Sequence, residues 1–155
     1  MRIRLIAAGN RPPAWIKSGY EEYASRLRAY CRFELIEIPL PSRTKSLTSQ
    51  QARKIEGERM LAALGERDQL IALAIEGEAW STERLSTRLN EWERAGENLA
   101  LLIGGPDGLD AALLARAQQH WSLSALTLPH LLVRVIVVEQ IYRAYTLRDN
   151  HPYHR

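Results

Sequence analysis

Two runs of apolar residues most constrain the fold of this 155-residue chain. Residues 69–75 read Gln-Leu-Ile-Ala-Leu-Ala-Ile, and residues 98–103 read Asn-Leu-Ala-Leu-Leu-Ile. Each run has the length of one strand and lacks the polar–apolar alternation of a half-exposed strand. Strands of this kind are buried on both faces, as in a parallel sheet that helices cover on each side.

The segments around these runs alternate between strand and helix patterns. Strands are predicted over residues 2–8, 33–38, 69–75, 98–103 and 121–126, and helices over residues 12–30, 49–64, 81–96, 110–119 and 129–148. Gly65 is expected to cap the second helix and Pro129 to occupy the first position of the last one. The polar stretch 41–50 is predicted to be an exposed, mobile loop. We therefore expect one α/β domain over residues 1–155, with a mostly parallel sheet flanked by helices.

The last predicted helix is more apolar than one sheet face requires. Val133 and the run Val135–Val138 are β-branched and would favour a strand by themselves. Residues 130–148 contain no glycine or proline and are too long for a typical strand, and Glu139 and Arg143 form an i,i+4 pair. We therefore predict a helix whose excess apolar surface is covered by a second subunit.

The charge distribution is asymmetric along the chain. The net charge is +3, but residues 1–60 contain 12 basic and 6 acidic side chains, a net of +6. Arginine greatly outnumbers lysine, and a guanidinium can hold a phosphate through two hydrogen bonds. This composition suits a polyanionic partner such as RNA, although a solvated basic surface would look the same.

Several functional classes are disfavoured by what the chain lacks. Cys31 is the only cysteine, which excludes an internal disulfide and a multi-cysteine zinc site. No apolar run reaches the roughly 20 residues that span a bilayer, and no signal-peptide pattern is present. The glycine motifs of dinucleotide-binding proteins, phosphate loops and serine hydrolases are also missing. We expect a cytoplasmic protein without a membrane segment or a metal site.

Two segments of the C-terminal third suit a small-molecule site. Residues 103–108, Ile-Gly-Gly-Pro-Asp-Gly, follow an apolar strand and would expose backbone amides at its carboxyl end. Residues 121–130 combine leucines with Ser124 and Thr127, a mixture that suits a flat ring such as adenine. Both segments also fit ordinary structure, the first as a strand-to-helix turn and the second as an edge strand with Thr127 as a helix cap.

The end of the chain is unusually rich in reactive side chains. Residues 151–155 read His-Pro-Tyr-His-Arg, whereas chain termini are normally frayed and chemically plain. Ordering of this tail against a ligand or substrate is the functional interpretation. His151 and His154 are spaced as half of a metal site, but the chain offers few further ligands, and we predict none.

At these segments the chain resembles a known family. It is similar to the small bacterial 23S rRNA methyltransferases that modify a pseudouridine at N3, the large subunit methyltransferase H type within the SPOUT class of knotted methyltransferases. The matching segments are Leu101–Gly108, Ser122–Ser124 with Thr127–His130, Val138–Ala144 and Pro152–Arg155. Similarity also covers Leu5–Gly9 and Phe33–Pro39, and so extends over essentially the whole chain.

The resemblance implies a fold, a cofactor and partners. The fold would be α/β with a deep C-terminal trefoil knot, and the knot and the cofactor site would occupy about residues 70–155. The cofactor would be S-adenosylmethionine and the protein a homodimer. The substrate would be a pseudouridine in a stem-loop of the 23S rRNA, methylated on the assembled 70S ribosome.

The resemblance also implies site residues. Cofactor contacts would come from Leu73, Gly104, Leu123, Ser124, Ala125, Leu126, Thr127 and Leu128. Catalytic candidates are Tyr153, His154, Arg143 and Arg155, with His154 handling the proton, Tyr153 orienting the base and an arginine balancing charge. Two other functions fit the residues less specifically, namely a non-catalytic basic RNA- or ribosome-binding module and a small α/β nucleotide-binding hydrolase.

Overall fold

Five strands form one fully parallel sheet in the computed structural model, which describes all 155 residues. The strands are β1 (Arg2–Ala8), β2 (Arg32–Ile38), β3 (Asp68–Ala79), β4 (Asn98–Ile103) and β5 (Gln119–Ser122). Their order across the sheet is β2-β1-β4-β3-β5. The predicted α/β architecture with a parallel sheet is therefore confirmed.

The central position of β4 explains its apolar sequence. It lies between β1 and β3, and all five residues from Leu99 to Ile103 are buried. Successive residues of a strand point to opposite faces, so Leu101 packs into one core and Leu102 into the other. A strand that is buried on both faces cannot carry polar side chains on either one.

Five α-helices cover the two faces of the sheet. They are α1 (Ala14–Leu27), α2 (Ser49–Ala62), α3 (Thr82–Arg94), α4 (Ala111–Arg116) and α5 (His130–Arg148), followed by a 3₁₀ turn at Pro152–His154. The larger core contains residues of α1, α3 and α5, and the smaller core contains Met60 of α2 and Leu113 of α4. None of the helices combines the length and the apolar character that crossing a membrane requires.

Local capping interactions explain where several helices begin. Thr48 and Gln51 form a reciprocal capping box at the start of α2. Ser81 accepts a hydrogen bond from the Arg84 amide at the start of α3, and Asp110 caps α4 by accepting from the amide of Ala112.

Some predicted boundaries were wrong. The helix α2 ends at Ala62 with Ala63 as a right-handed C-cap, so Gly65 is not the cap and instead donates its amide to Asp68. Pro129 occupies the N-cap position of α5, one residue before the helix. The last strand covers residues 119–122, because residues 123–126 leave the sheet although they are partly apolar.

A buried arginine joins the final helix to the first two strands. Arg134 of α5 is 1% exposed. Its Nη2 donates to the carbonyl oxygens of Ala8 (3.2 Å) and Gly9 (3.0 Å), and its Nη1 donates to Glu37 at 2.9 Å. Gly9 has a φ of +98°, a conformation that favours glycine. These bonds hold the start of α5 at the carboxyl ends of β1 and β2, while the trefoil knot stays a prediction.

Replacing Arg134 by methionine should strongly destabilise the protein. The change leaves two carbonyl groups and a half-buried carboxylate without their donor, and breaking such a buried pair costs about 3 kcal/mol. Urea unfolding monitored by circular dichroism measures this loss. Arg116→Met is the matched control, because Arg116 is exposed and unpaired, and it should shift the unfolding free energy by less than about 0.5 kcal/mol. Equal effects of the two changes would contradict the role given to Arg134.

Candidate cofactor pocket and C-terminal tail

One large pocket opens at the carboxyl edge of the sheet. Its volume is about 700 Å³, within the range of small-molecule sites. The walls come mainly from Leu73–Glu76, Ile103–Leu109, the loop after β5 and the first turn of α5. Parallel sheets bind ligands at this edge because the loops that follow neighbouring strands meet there.

An irregularity in β3 forms one wall of the pocket. Trp121 of β5 pairs with both Leu73 and Glu78, so the four residues between them leave the ladder. Three of those residues, Ala74–Glu76, line the pocket. The fourth is Gly77, where a Cβ atom would lie 2.7 Å from the backbone carbonyl of His120. Only glycine allows β3 to pass so close to β5 at this point.

The glycine turn after β4 forms the floor of the pocket. Gly108 has a φ of +83° and donates its amide to the carbonyl oxygen of Gly105 at 3.0 Å. A Cβ atom on Gly104 would lie 2.5 Å from the carbonyl carbon of Gly108. The tight turn therefore requires the absence of a side chain at Gly104, and it leaves bare backbone facing the pocket.

The loop after β5 supplies the opposite wall. The predicted cofactor residues that line the pocket are Leu73, Gly104, Leu123, Ser124, Leu126, Thr127 and Leu128. Ala125 is exposed and does not line it. Ser124 accepts a hydrogen bond from the amide of Leu126 at 3.0 Å, which bends the loop locally.

The alternative role of Thr127 as a helix cap was wrong, because Pro129 is the N-cap and no side chain caps α5.

Some residues of the pocket were not predicted as site residues. The bulge at residues 74–76 has no sequence signal, because Ala74 and Ile75 continue the apolar pattern of β3 and Glu76 directly follows them. Arg53 of α2 also lines the pocket and carries no recognisable motif. His130 lies at the pocket rim, 3.5 Å from where a Cβ on Gly9 would be, and belonged to a matching segment without being assigned a role.

The C-terminal tail folds back along α5. Asn150 has a φ of +55° and, with His151, donates its amide to carbonyls of the last helical turn, which reverses the chain. Tyr153 then donates its hydroxyl to Glu139 at 3.0 Å. The Arg143 guanidinium lies 4.9 Å from the centre of the Tyr153 ring. Two predicted catalytic residues, Tyr153 and Arg143, are thus in contact.

The other two tail candidates differ in their environments. The Nδ1 atom of His154 is buried and has no hydrogen-bond partner, whereas Arg155 is exposed at the end of the chain. No group of three or more His, Cys, Asp or Glu side chains is arranged to hold a metal ion.

The tail and the pocket lie at different positions along α5. Val133 is the last residue of α5 that lines the pocket, and Glu139, which holds Tyr153, follows it by six residues. At a rise of 1.5 Å per residue this separation is about 9 Å along the helix. Within one chain, all but one of the residues predicted for the cofactor line the same pocket, and none of the catalytic candidates does.

A parallel sheet with a glycine turn and a ligand-sized pocket at its carboxyl edge defines the chain as an α/β protein with a candidate small-molecule site at that edge. Comparison with known families gives a narrower assignment. A family model described as "Predicted SPOUT methyltransferase" matches residues 1–154. The chain belongs to the SPOUT methyltransferase family.

Similar proteins agree with this assignment. The chain is 53% identical to a protein of Saccharophagus degradans and 52% identical to one of Marinomonas sp., each over the full length of both chains. It is 50% identical to a protein of Hahella chejuensis, over all of this chain and 99% of the relative. All three carry the name "Ribosomal RNA large subunit methyltransferase H".

Two solved structures share the fold at low sequence identity. A probable methylase family protein from Haemophilus influenzae superposes with a TM-score of 0.55 at 15% identity, covering 99% of this chain and 70% of that one. A putative methylase family protein from Neisseria gonorrhoeae gives 0.57 at 15% identity, covering 91% and 80%. These likenesses support the fold alone.

His130 should stay neutral below the pH at which histidine normally gains a proton. Burial, and secondly the charge of Arg134, lower the pKa of its imidazole. The folded protein then binds this proton more weakly than the unfolded chain, so stability is lost as the pH falls through the lowered pKa. NMR should give a lower midpoint for His130 in the folded protein than in urea, and His130→Gln should lose less unfolding free energy on acidification. Identical midpoints in the two states would contradict this prediction.

Proposed function

We propose that this protein uses S-adenosylmethionine to methylate N3 of a pseudouridine in the helix 69 stem-loop of 23S rRNA, on the assembled 70S ribosome in the cytoplasm. The observation that carries the proposal is the pocket, which brings together all but one of the residues that the resemblance assigns to the cofactor. The names of the full-length relatives support ribosomal RNA as the substrate.

The pocket fits the proposed cofactor in size and chemistry. Leu73, Leu123 and Leu128 provide apolar walls for an adenine ring, and Ser124 and Thr127 add hydroxyl groups. The glycine turn presents backbone that a ligand can approach closely because it carries no side chain. Apart from Arg53, the lining residues fall between 73 and 133, within the segment 70–155 that we propose contains the knot and the cofactor site.

The chain has two tasks in the proposed reaction. Bound S-adenosylmethionine supplies an electrophilic methyl group. The pocket residues hold the reacting partners in line, which supplies a large part of the rate enhancement. The tail residues accept the proton that leaves N3 of the pseudouridine and stabilise the negative charge that remains.

The environments of the tail residues support distinct roles. Burial, followed by hydrogen bonding with Tyr23 and Glu139, raises the pKa of the Tyr153 phenol well above its usual range. Tyr153 therefore stays protonated at neutral pH and suits orienting the base by a hydrogen bond. The Nδ1 atom of His154 has no hydrogen-bond partner within the chain, and we assign His154 the role of proton acceptor. Arg143 and Arg155 supply positive charge near the base.

A homodimer would bring the tail and the pocket together. The first half of α5 leaves several apolar side chains only half buried, including Leu131, Leu132, Val135 and Ile136. A second subunit packed on this surface would cover them. Because the tail of a chain lies about 9 Å along α5 from its own pocket, we propose that the tail of one subunit completes the pocket of the other.

Gly104→Val should abolish cofactor binding without unfolding the protein. The added side chain would collide with the backbone of Gly108 and open the turn. Calorimetry with S-adenosylmethionine should show affinity reduced at least about 100-fold, a loss of about 2.8 kcal/mol. Ala125→Val is the matched control, because Ala125 is exposed in the neighbouring loop and does not line the pocket. If Gly104→Val binds S-adenosylmethionine with normal affinity, the cofactor site lies elsewhere in the protein.

His154→Ala and deletion of residues 152–155 should stop methyl transfer while leaving cofactor binding near normal. Loss of a general base lowers kcat on the order of 100-fold or more. Single-turnover methylation of unmodified ribosomes measures transfer, and calorimetry measures binding. If the truncated protein methylates ribosomes at the wild-type rate, the tail is not part of the active site.

Mixed dimers test which subunit supplies the tail. A dimer of one Gly104→Val chain and one His154→Ala chain contains one intact pocket and one intact tail on different subunits. Partial recovery of activity on mixing supports completion by the partner, and no recovery supports a tail that acts on its own chain.

Mass spectrometry of large-subunit RNA, from cells with and without the gene, tests the reaction itself. Loss of one methyl group on a pseudouridine is the expected result. Unchanged RNA together with measurable cofactor binding would point to another substrate. Absence of cofactor binding would favour a non-catalytic RNA-binding role.

A further inference from the structure

The basic loop that joins β2 to α2, residues 39–48, is attached to the glycine turn by an ion pair. Arg43 donates through Nη2 to the carboxylate of Asp107. Arg53 also reaches the turn, since its Nη1 donates to the carbonyl oxygen of Asp107 at 3.5 Å. Asp107 and Arg53 both line the pocket, so this contact lies at the pocket mouth.

Most of the hydrogen-bonding capacity of Arg43 is unused. A guanidinium carries five N–H donors, and Arg43 engages a single nitrogen, Nη2, with Asp107. The side chain is 43% exposed, so the unused donors are accessible from solvent. Their flat, forked arrangement matches the oxygens of a phosphate group.

The surroundings of Arg43 favour an anion. Residues 42–46 read Ser-Arg-Thr-Lys-Ser and are all exposed, and they contain no acidic side chain. The nearby Glu56 is buried behind the turn, and desolvation raises the pKa of its carboxyl group. Glu56 therefore attracts the Arg43 guanidinium less strongly than a fully charged carboxylate would. Asp107 is thus the carboxylate that occupies Arg43, and the hydrogen bond from Arg43 lowers the pKa of Asp107 and keeps it charged.

We propose that Arg43 binds a backbone phosphate of the substrate RNA at the mouth of the pocket, and that Asp107 competes with that phosphate for Arg43. The proposal rests on the proposed function, because it names a contact with the same substrate. A solvent-exposed ion pair contributes little net stability, so its exchange for a phosphate costs little.

Two substitutions separate competition from a purely structural contact. Arg43→Gln should weaken binding to 70S ribosomes that lack the methyl group by about fivefold, because one phosphate contact is lost. It should also reduce the slope of log K against log salt by about one. Asp107→Asn keeps Arg43 and removes its competitor, so it should tighten binding. Co-sedimentation with these ribosomes over a series of salt concentrations measures both effects without requiring catalysis.

A second exposed ion pair provides the matched control. Arg28 and Glu21 lie 3.5 Å apart on and just beyond α1, and the C-terminal end of this helix points away from the carboxyl edge of the sheet. Arg28→Gln and Glu21→Gln change the net charge of the protein by the same amounts. Each change should alter ribosome affinity by no more than about twofold, which is the general effect of a change in net charge.

The possible outcomes are distinct. If Arg43→Gln and Asp107→Asn weaken binding alike, the pair only fixes the loop, and the proposal is wrong. If neither changes affinity, or if the control pair has the same effect, Arg43 does not contact the RNA. Calorimetry with S-adenosylmethionine on each variant verifies that the pocket is intact. Methylation of ribosomes by the wild-type protein tests the proposed function separately, so failure of the Arg43 contact can be distinguished from failure of the proposed function.

Discussion

The buried guanidinium of Arg134 is the interaction on which the arrangement of the site depends. A charge at this depth is tolerated because three acceptors from two strand ends surround it, with only its Nε lacking a partner. The contact sets the start of α5 and places His130 beside Gly9 at the pocket rim. Because a helix is rigid, the same contact also determines where its far end, and therefore the tail, comes to lie.

The sequence predicts the sheet more accurately than the pocket. The bounds of β4 were correct to the residue, because its apolar run is buried on both faces of the sheet and ends directly in the glycine turn. The pattern failed for residues 123–126, where leucines line a pocket instead of pairing in a sheet. Apolar side chains suit both the interior of a sheet and the wall of a ligand pocket, so the pattern alone does not distinguish the two.

Other features of the site depend on contacts between distant segments. The bulge in β3 results from the double pairing of Trp121 with Leu73 and Glu78, which no local pattern records. The structure brings Tyr153 and Arg143 into contact, but no sequence motif indicates that the tail lies along α5 and outside the pocket of its own chain. The separation of the tail from the pocket follows from the reversal of the chain at Asn150, where a single left-handed residue sets the direction of the tail.

The glycine turn has an evolutionary consequence. Its first residue, Gly104, borders the ligand pocket, while Asp107 faces the basic loop, so one short turn joins two surfaces that are encoded in different parts of the chain. Residues 39–48 do not line the pocket themselves, since nearly all of its walls come from residues after 72. Substitutions in this one exposed loop could therefore adapt a related protein to a new polyanionic target, while the residues that line the pocket stay the same.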